Sequence, residues 1–322
     1  MVILGLVVVA AVCLLLFRDD TATGDNNGEF VAIAGGSFVM GDSLDKLRDA
    51  RPHEVMLSPY SIGRHEVTLK LWDQVAGWAH GNGYTDLPPG MAKGDAHPVY
   101  GVTRHNAIKW CNARSEMEGR TPCYYEDEAR TAVLRTEGDA LDGRCVRWEA
   151  DGYRLPTEAE WERAARGGLQ GQRFPWGDEI SHQNANYSGS TRGAPYDKSG
   201  RNGPPAAYIT SLPHTAPVGS FPPNELGLHD MAGNVLEWCW DFYDKHYGLP
   251  ELANNEFGAV VLNPPPSAVV VKDPHGPDLG ISNVARGGSW RHSAEDARCA
   301  FRYDLPGGVP AAHVGFRVVR SK

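Results

Sequence analysis

Positive charge is scarce in this 322-residue chain: 31 Lys and Arg stand against 40 Asp and Glu, a formal net charge of −9. A surface of that sign does not neutralise phosphates, which excludes a non-specific nucleic-acid binder. The glycine patterns that cradle nucleotides are absent as well, since neither G-x-x-x-x-G-K-[ST] nor G-x-G-x-x-G occurs. Gly and Pro together make up 60 residues, too many for a helix bundle and enough for many turns and long irregular connections. Hydrophobic residues at 41%, with nine Trp, suffice for a core.

The apolar run at the N-terminus is Met1–Phe17, MVILGLVVVAAVCLLLF. It is close to the lower limit of about 17 residues for a membrane span. No basic residue precedes it and no clear A-x-A cleavage site follows. Val12 is a poor match to the small residue that would make Cys13 a lipoprotein site. The reading taken is an uncleaved anchor over 1–18, with the rest of the chain in the periplasm or extracellular space. A cleaved signal peptide with secretion is one alternative, and a helix buried in the domain is another. Residues 19–28 are polar and read as a tether. No Pro/Ser-rich linker divides 29–322, so a single domain is expected there.

The best-defined local signal is Gly152–Gly168, GYRLPTEAEWERAARGG. Pro156 ends a strand and sets a turn. Thr157 is a good N-cap, and Glu160 sits three residues on, as a capping box requires. Glu158, Glu160 and Glu162 lie near the positive end of the expected helix, Arg163 and Arg166 near its negative end. Gly167-Gly168 stops it. Elsewhere FVAIAGGSFVMGD alternates around Gly35-Gly36 and reads as a hairpin, and HEVMLSPYSIGRHEVT gives two short strands around Ser58-Pro59. LKLWDQVAGWAH has Leu71, Trp72, Val75 and Trp78 at helical spacing. A second helix is expected from about Asn106 to Met117.

Residues 121–151 read as a hairpin-like extension flanked by Cys123 and Cys145. Outside the cytoplasm these two could form a disulfide, closing a loop of roughly 20 residues and contributing about 3 kcal/mol. Cys239 with Cys299 is a second candidate pair. Beyond the N-terminal run the cysteines number five, so at least one thiol stays unpaired, and buried free thiols are the alternative throughout.

Several separated motifs resemble the sulfatase-modifying-factor family, whose fold is that of formylglycine-generating enzymes. They are Phe38 with Met40-Gly41, Glu66-Val67-Thr68, the Pro156–Arg166 segment and Phe174-Pro175-Trp176-Gly177-Asp178. Asn184-Ala185-Asn186-Tyr187 continues the series. The closing matches are Arg286-Gly287-Gly288-Ser289-Trp290, Arg298-Cys299-Ala300-Phe301-Arg302 and Gly315-Phe316-Arg317. Together they run in the family's order from about Glu29 to Arg320. The resemblance implies an α+β, C-type-lectin-like fold of short antiparallel strands, few helices and much irregular chain.

The resemblance also implies structural Ca²⁺, a hard cation that takes six to eight oxygens. Asn186 and Tyr187 match the first half of one site, but the aspartate expected further on falls near Thr210. Asp230, Gly233, Val235 and Glu237 match a second site, the alternative for Glu237 being to cap backbone amides. At the catalytic position the chain departs from the family. Formylglycine-generating enzymes carry two cysteines, five apart, just beyond the G-G-S-[WY] turn, and bind Cu(I) through them, soft sulfur suiting the soft ion. Here those places hold His292 and Ala297. Copper-thiolate formylglycine synthesis is therefore not expected, and Cys299 matches a structural cysteine instead.

What remains as candidates for chemistry is Ser289, Trp290, His292 and Arg302. Asp296 follows His292 at four residues, but one imidazole and one carboxylate fall short of a facial triad. His53, His65 and His313 are further imidazoles that nothing in the sequence places near His292. Arg291, Arg298 and Arg317, with Asp296 and Asp304, form either a pocket for a carboxylate or peptide or an ion-pair network within a loop-rich core. The function read from these residues is a binding or assembly module for a protein or peptide partner, on a scaffold that has lost its thiol pair. The alternative is an oxidoreductase acting on a peptide or siderophore-type substrate without that pair.

Overall fold

The computed structural model describes residues 28–45, 47, 49–136, 141–247 and 270–321. The apolar run Met1–Phe17 and most of the tether lie outside these residues. No helix among the described residues is long and apolar enough to cross a membrane.

Three α-helices, two short 3-10 turns and three small sheets make up the regular structure of the described residues. Strands β1 (Phe30–Ile33), β4 (Tyr60–Gly63) and β10 (Val319–Ser321) form one sheet in the order β1-β4-β10, antiparallel throughout. Strands β2 (Gly36–Met40), β3 (His53–Leu57) and β6 (Val271–Lys272) form a second, with β2 antiparallel and β6 parallel to β3. The third has the order β8-β7-β5-β9, from Tyr303–Leu305, Asn283–Arg286, Leu236–Phe242 and Val314–Gly315. This is the α+β architecture with much irregular chain that the sequence implied. One pairing differs. Gly35-Gly36 does not turn β1 onto β2; it carries the chain from one sheet to the next, so that β2–β3 is a hairpin nested between β1 and β4. Alternation specified the strands but not their partners.

Helices α1 (Leu69–His80) and α2 (Arg104–Met117) pack through Trp72 and Trp110, whose rings stack with centroids 6.0 Å apart. Phe316 meets both edge-on. Thr68 and Thr103 cap the two helices through their hydroxyls.

Helix α3 (Glu158–Arg166) follows the sequence signal closely. Thr157 Oγ1 accepts from the Glu160 amide at 3.2 Å, Glu160 Oε2 accepts from the Thr157 amide at 2.8 Å, and Gly167 closes the helix at φ +61°. Its three acids are not solvated. Arg302 forks onto Glu158 at 2.6 and 2.7 Å, and Arg154 forks onto Glu160 at 2.7 Å twice. Glu162, fully buried, accepts from Arg166, Arg286 and the Gly41 amide. A short, well-capped helix is thus tied by charge to strand β7, to the loop before β8 and to the turn after β2.

Asp241, buried on β5, accepts from the Glu158 amide at 2.7 Å, the first N–H of α3. Burial, followed by the Glu158 carboxylate, raises its pKa from 3.8 to about 8. A carboxyl raised in the folded state stabilises it fully below the unfolded pKa and loses that contribution as pH rises through the folded one. Asp241→Asn removes the titration while keeping an acceptor. Its melting temperature relative to wild type should climb between pH 5 and 8 and level off above that. A difference independent of pH would contradict the burial argument.

Candidate functional site

The floor of the site is a set of buried polar groups behind the turn at Gly233. Asn186 pairs with Gly233 in a parallel bridge, and its carbonyl accepts from the Asn234 amide at 2.7 Å. The Asn186 Nδ2 donates to the His214 carbonyl at 2.8 Å and to Asn234 Oδ1 at 3.2 Å. Asn234 in turn donates to Glu66 Oε2 at 2.7 Å. Gly233 stands at φ +85°, and a Cβ there would lie 2.3 Å from the Asn186 carbonyl oxygen. Gly233→Ala should therefore cost more than the roughly 1–2 kcal/mol of a left-handed non-glycine residue, because backbone must also move. A melting point within a degree or two of wild type would contradict this.

Three carboxylates, Glu66, Asp230 and Glu237, are buried around one guanidinium, Arg317. Arg317 forks onto Glu237 at 2.6 Å twice, and the Trp161 indole donates to the same carboxylate at 2.7 Å. Burial raises Glu66 well above the usual carboxylate range and Asp230 to about 6, with the neighbouring carboxylates adding to the effect. The residues that the resemblance implies as calcium ligands stand in different surroundings. Glu237 does not fit as a ligand, because Arg317 and Trp161 occupy both its oxygens. Asp230 accepts from the Gly219 amide through Oδ2 alone, and its Oδ1 is buried with no partner, as is Asn186 Oδ1. Those two oxygens are of the type a hard cation takes. Tyr187 donates its hydroxyl to Asp197 at 2.6 Å, and Asp197 also accepts from the Ser190 and Ser199 amides. Asp197 therefore fastens this loop.

Above this floor lies the turn Gly287-Gly288-Ser289-Trp290. Both glycines have positive φ, at +91° and +70°. A Cβ on Gly288 would sit 2.9 Å from the Asp296 carbonyl oxygen and 3.0 Å from Ala297 Cα, so the turn and the segment carrying Ala297 meet backbone to backbone. Ser289 is fully buried, and its Oγ lies 2.7 Å from His292 Nδ1. A buried hydroxyl cannot reach a substrate as a nucleophile. The contact instead fixes the imidazole and leaves Nε2 as its available nitrogen. The His292 ring packs edge-on against Tyr303, with centroids 5.0 Å apart, and against His313 at 5.2 Å. Trp290 packs against His214 at 5.2 Å. Burial lowers the pKa of both His292 and His313, the latter to about 4, and Arg291 adds to each shift.

The other expected residues are placed differently. Arg298 is buried on Asp42 at 2.8 Å and Asp45 at 2.8 Å. Arg302 lies under the Tyr247 ring at 3.8 Å and donates to the Asp49 and Asp244 carbonyls in addition to Glu158. Asp296 accepts from Ser293, amide and hydroxyl, within its own turn. Arg291 and Asp304 are exposed. The guanidiniums of Arg298, Arg302 and Arg317 thus face inward onto separate carboxylates, and Arg302 is a fastening, not a reacting group.

The cysteine expectations are corrected. Cys111, Cys123, Cys145, Cys239 and Cys299 are all free thiols. Tyr124 pairs with Val146, the Tyr125 amide donates to the Cys145 carbonyl and the Arg147 amide to the Cys123 carbonyl. Cys123 and Cys145 are therefore diagonal neighbours on one face, a position whose typical separation of about 7–8 Å exceeds the roughly 4.4–6.8 Å between the Cα atoms of a disulfide. Burial raises all five thiols, Cys123 and Cys299 to about 12.

Sequence reading missed Glu66, Tyr303 and His214 as site residues and left His313 unplaced. Each joins across a long stretch of chain, and no local spacing announces such a contact.

The comparisons with known proteins agree with the architecture. The chain is 33% identical over 298 residues to the chaperone protein LppX of Paenibacillus barcinonensis, covering 91% of this chain and 90% of that one. It is 31% identical over 313 residues to the formylglycine-generating enzyme of Thermomonospora curvata, covering 89% and 91%. Among solved structures, Treponema denticola variable protein 1 superposes with a TM-score of 0.64 at 28% identity, covering 91% of this chain and 95% of that one. Residues 18–322 match the model of the sulfatase-modifying factor enzyme 1-like domain, and the chain belongs to that family.

Proposed function

We propose that the chain is a membrane-anchored, extracytoplasmic binding or assembly module for a protein or peptide. The observation that carries this reading is the chemistry of the sulfur. His292 and a fully buried Ala297 stand where the family's thiolate pair is expected, and burial raises the pKa of every described thiol. The scaffold around them is complete: turn, capped helix and buried ion pairs are all in place. A relative covering most of the chain is named a chaperone, which supports a role in recognition. The partner is proposed to dock on the face presenting Trp290 and exposed Arg291, with the anchor at residues 1–18 holding the domain at the membrane.

A photo-crosslinking residue at Arg291 should yield one discrete protein adduct in cells. The same probe at Leu279, which is 76% exposed, should give none, and Trp290→Ala should reduce the yield at Arg291. No adduct from Arg291, combined with oxygen consumption on a thiol peptide, would favour the oxidoreductase reading.

Structural Ca²⁺ belongs to the same proposal, with Asn186 in one site and Asp230 in the other. A chelator should lower the melting temperature, and Ca²⁺ at about 100 times its Kd should restore about 2.7 kcal/mol. An unchanged melting curve with and without chelator would contradict it.

A further inference from the structure

We propose that His292 and His313 together form a binding site for a divalent first-row transition ion, with two imidazole ligands and the remaining positions open. This goes beyond the binding reading, since it requires no partner protein.

The geometry is the first argument. Two imidazoles, each bound through one nitrogen at about 2.0–2.1 Å to a tetrahedral ion, place their ring centroids about 5 Å apart. The His292 and His313 centroids are 5.2 Å apart with the planes inclined at 61°. The second argument is preorganisation. Ser289 Oγ holds His292 Nδ1 at 2.7 Å, and a ligating histidine is usually oriented in this way, through a hydrogen bond at its other nitrogen. The backbone at both residues is fixed. The His292 amide donates to the Ser289 carbonyl and its own carbonyl accepts from Ser188, while the His313 carbonyl accepts from Leu236 on β5. The rings are therefore set by three separate segments.

The charged groups acting on the pair are Arg291, which is exposed, and Asp296. No third His, Cys, Asp or Glu joins them in a metal-binding group among the described residues. Two protein ligands leave the other positions for water or for a donor atom on an incoming molecule. Imidazole donors suit zinc, copper and nickel.

The test uses the untagged full chain in detergent, stripped with chelator and titrated with Zn²⁺ by calorimetry. One equivalent should bind. His292→Ala and His313→Ala should each weaken binding by more than the roughly 10–100-fold that loss of an outer partner costs, and Ser289→Ala should fall within that range. His80→Ala, a histidine bonded to the Leu87 carbonyl elsewhere in the fold, should change nothing. Loading wild type with Cu²⁺ gives a readout that does not depend on the variants folding: the paramagnetic spectrum should show nitrogen coupling from two imidazoles. Absence of stoichiometric binding, affinity unchanged in both histidine variants, or a Cu²⁺ spectrum without imidazole nitrogen would each overturn the assignment.

Discussion

Arg317→Met is expected to destabilise the domain by about 3–5 kcal/mol. The side chain is fully buried and spends its donors on Glu237 twice, on the Gly63 carbonyl at 3.0 Å and on the His229 carbonyl at 2.9 Å. It links the segment between β9 and β10 to β5, to the end of β4 and to the loop carrying Asp230. Removing it leaves Glu237 as an uncompensated buried charge beside two more carboxylates, Glu66 and Asp230, that burial already pushes up. At 2–4 °C per kcal/mol for domains of 150–250 residues, the melting temperature should fall by roughly 10 °C. Glu237→Leu combined with Arg317→Met should recover much of the loss, because replacing a buried pair by apolar groups is often neutral. A single variant within about 1 kcal/mol of wild type would show that the pair is not the fastening described.

Arg302→Ala should be comparably damaging, again about 3–5 kcal/mol. Its guanidinium is sandwiched with Tyr243 and Tyr247, forks onto Glu158 and donates to two carbonyls from different loops. Arg302→Lys should rescue little, since an ammonium supplies a point charge where a planar fork is needed. Chemical denaturation of the three proteins checks this. Full rescue by lysine would mean that charge alone matters at that position, and wild-type stability in Arg302→Ala would return Arg302 to the candidates for chemistry.

Helix α3 shows what local sequence can and cannot convey. Thr157, Glu160 and Gly167 act within a few residues of one another, so the cap and stop were readable and hold in the structure. Arg166, at i+4 from Glu162, is a partner that helical spacing conveys, but the other partners of Glu158, Glu160 and Glu162 are 144, 6 and 124 residues away in Arg302, Arg154 and Arg286. Spacing along a helix cannot name them, and the first two look like ordinary surface charge near a helix N-terminus. The same limit explains the nested β2–β3 hairpin and the unpaired Cys123 and Cys145. Strand character is local, whereas register decides whether two thiols face each other directly or diagonally. At the site, Ser289 and His292 are three residues apart and legible as neighbours. His313 reaches them only because β9 lies parallel to β5, a long-range pairing. The family resemblance supplied the architecture and located the missing sulfur, but the inward commitment of Arg298, Arg302 and Arg317 required coordinates.

The most direct test is to load the purified full chain with cuprous ion, supply oxygen and a cysteine peptide of sulfatase type, and look for the aldehyde by mass spectrometry. With His292 and Ala297 in the thiolate positions and burial raising the pKa of the five described cysteines, the peptide should come through unchanged. Catalytic conversion of that cysteine to formylglycine would contradict the assignment of this chain as a member of its family without the paired catalytic thiols.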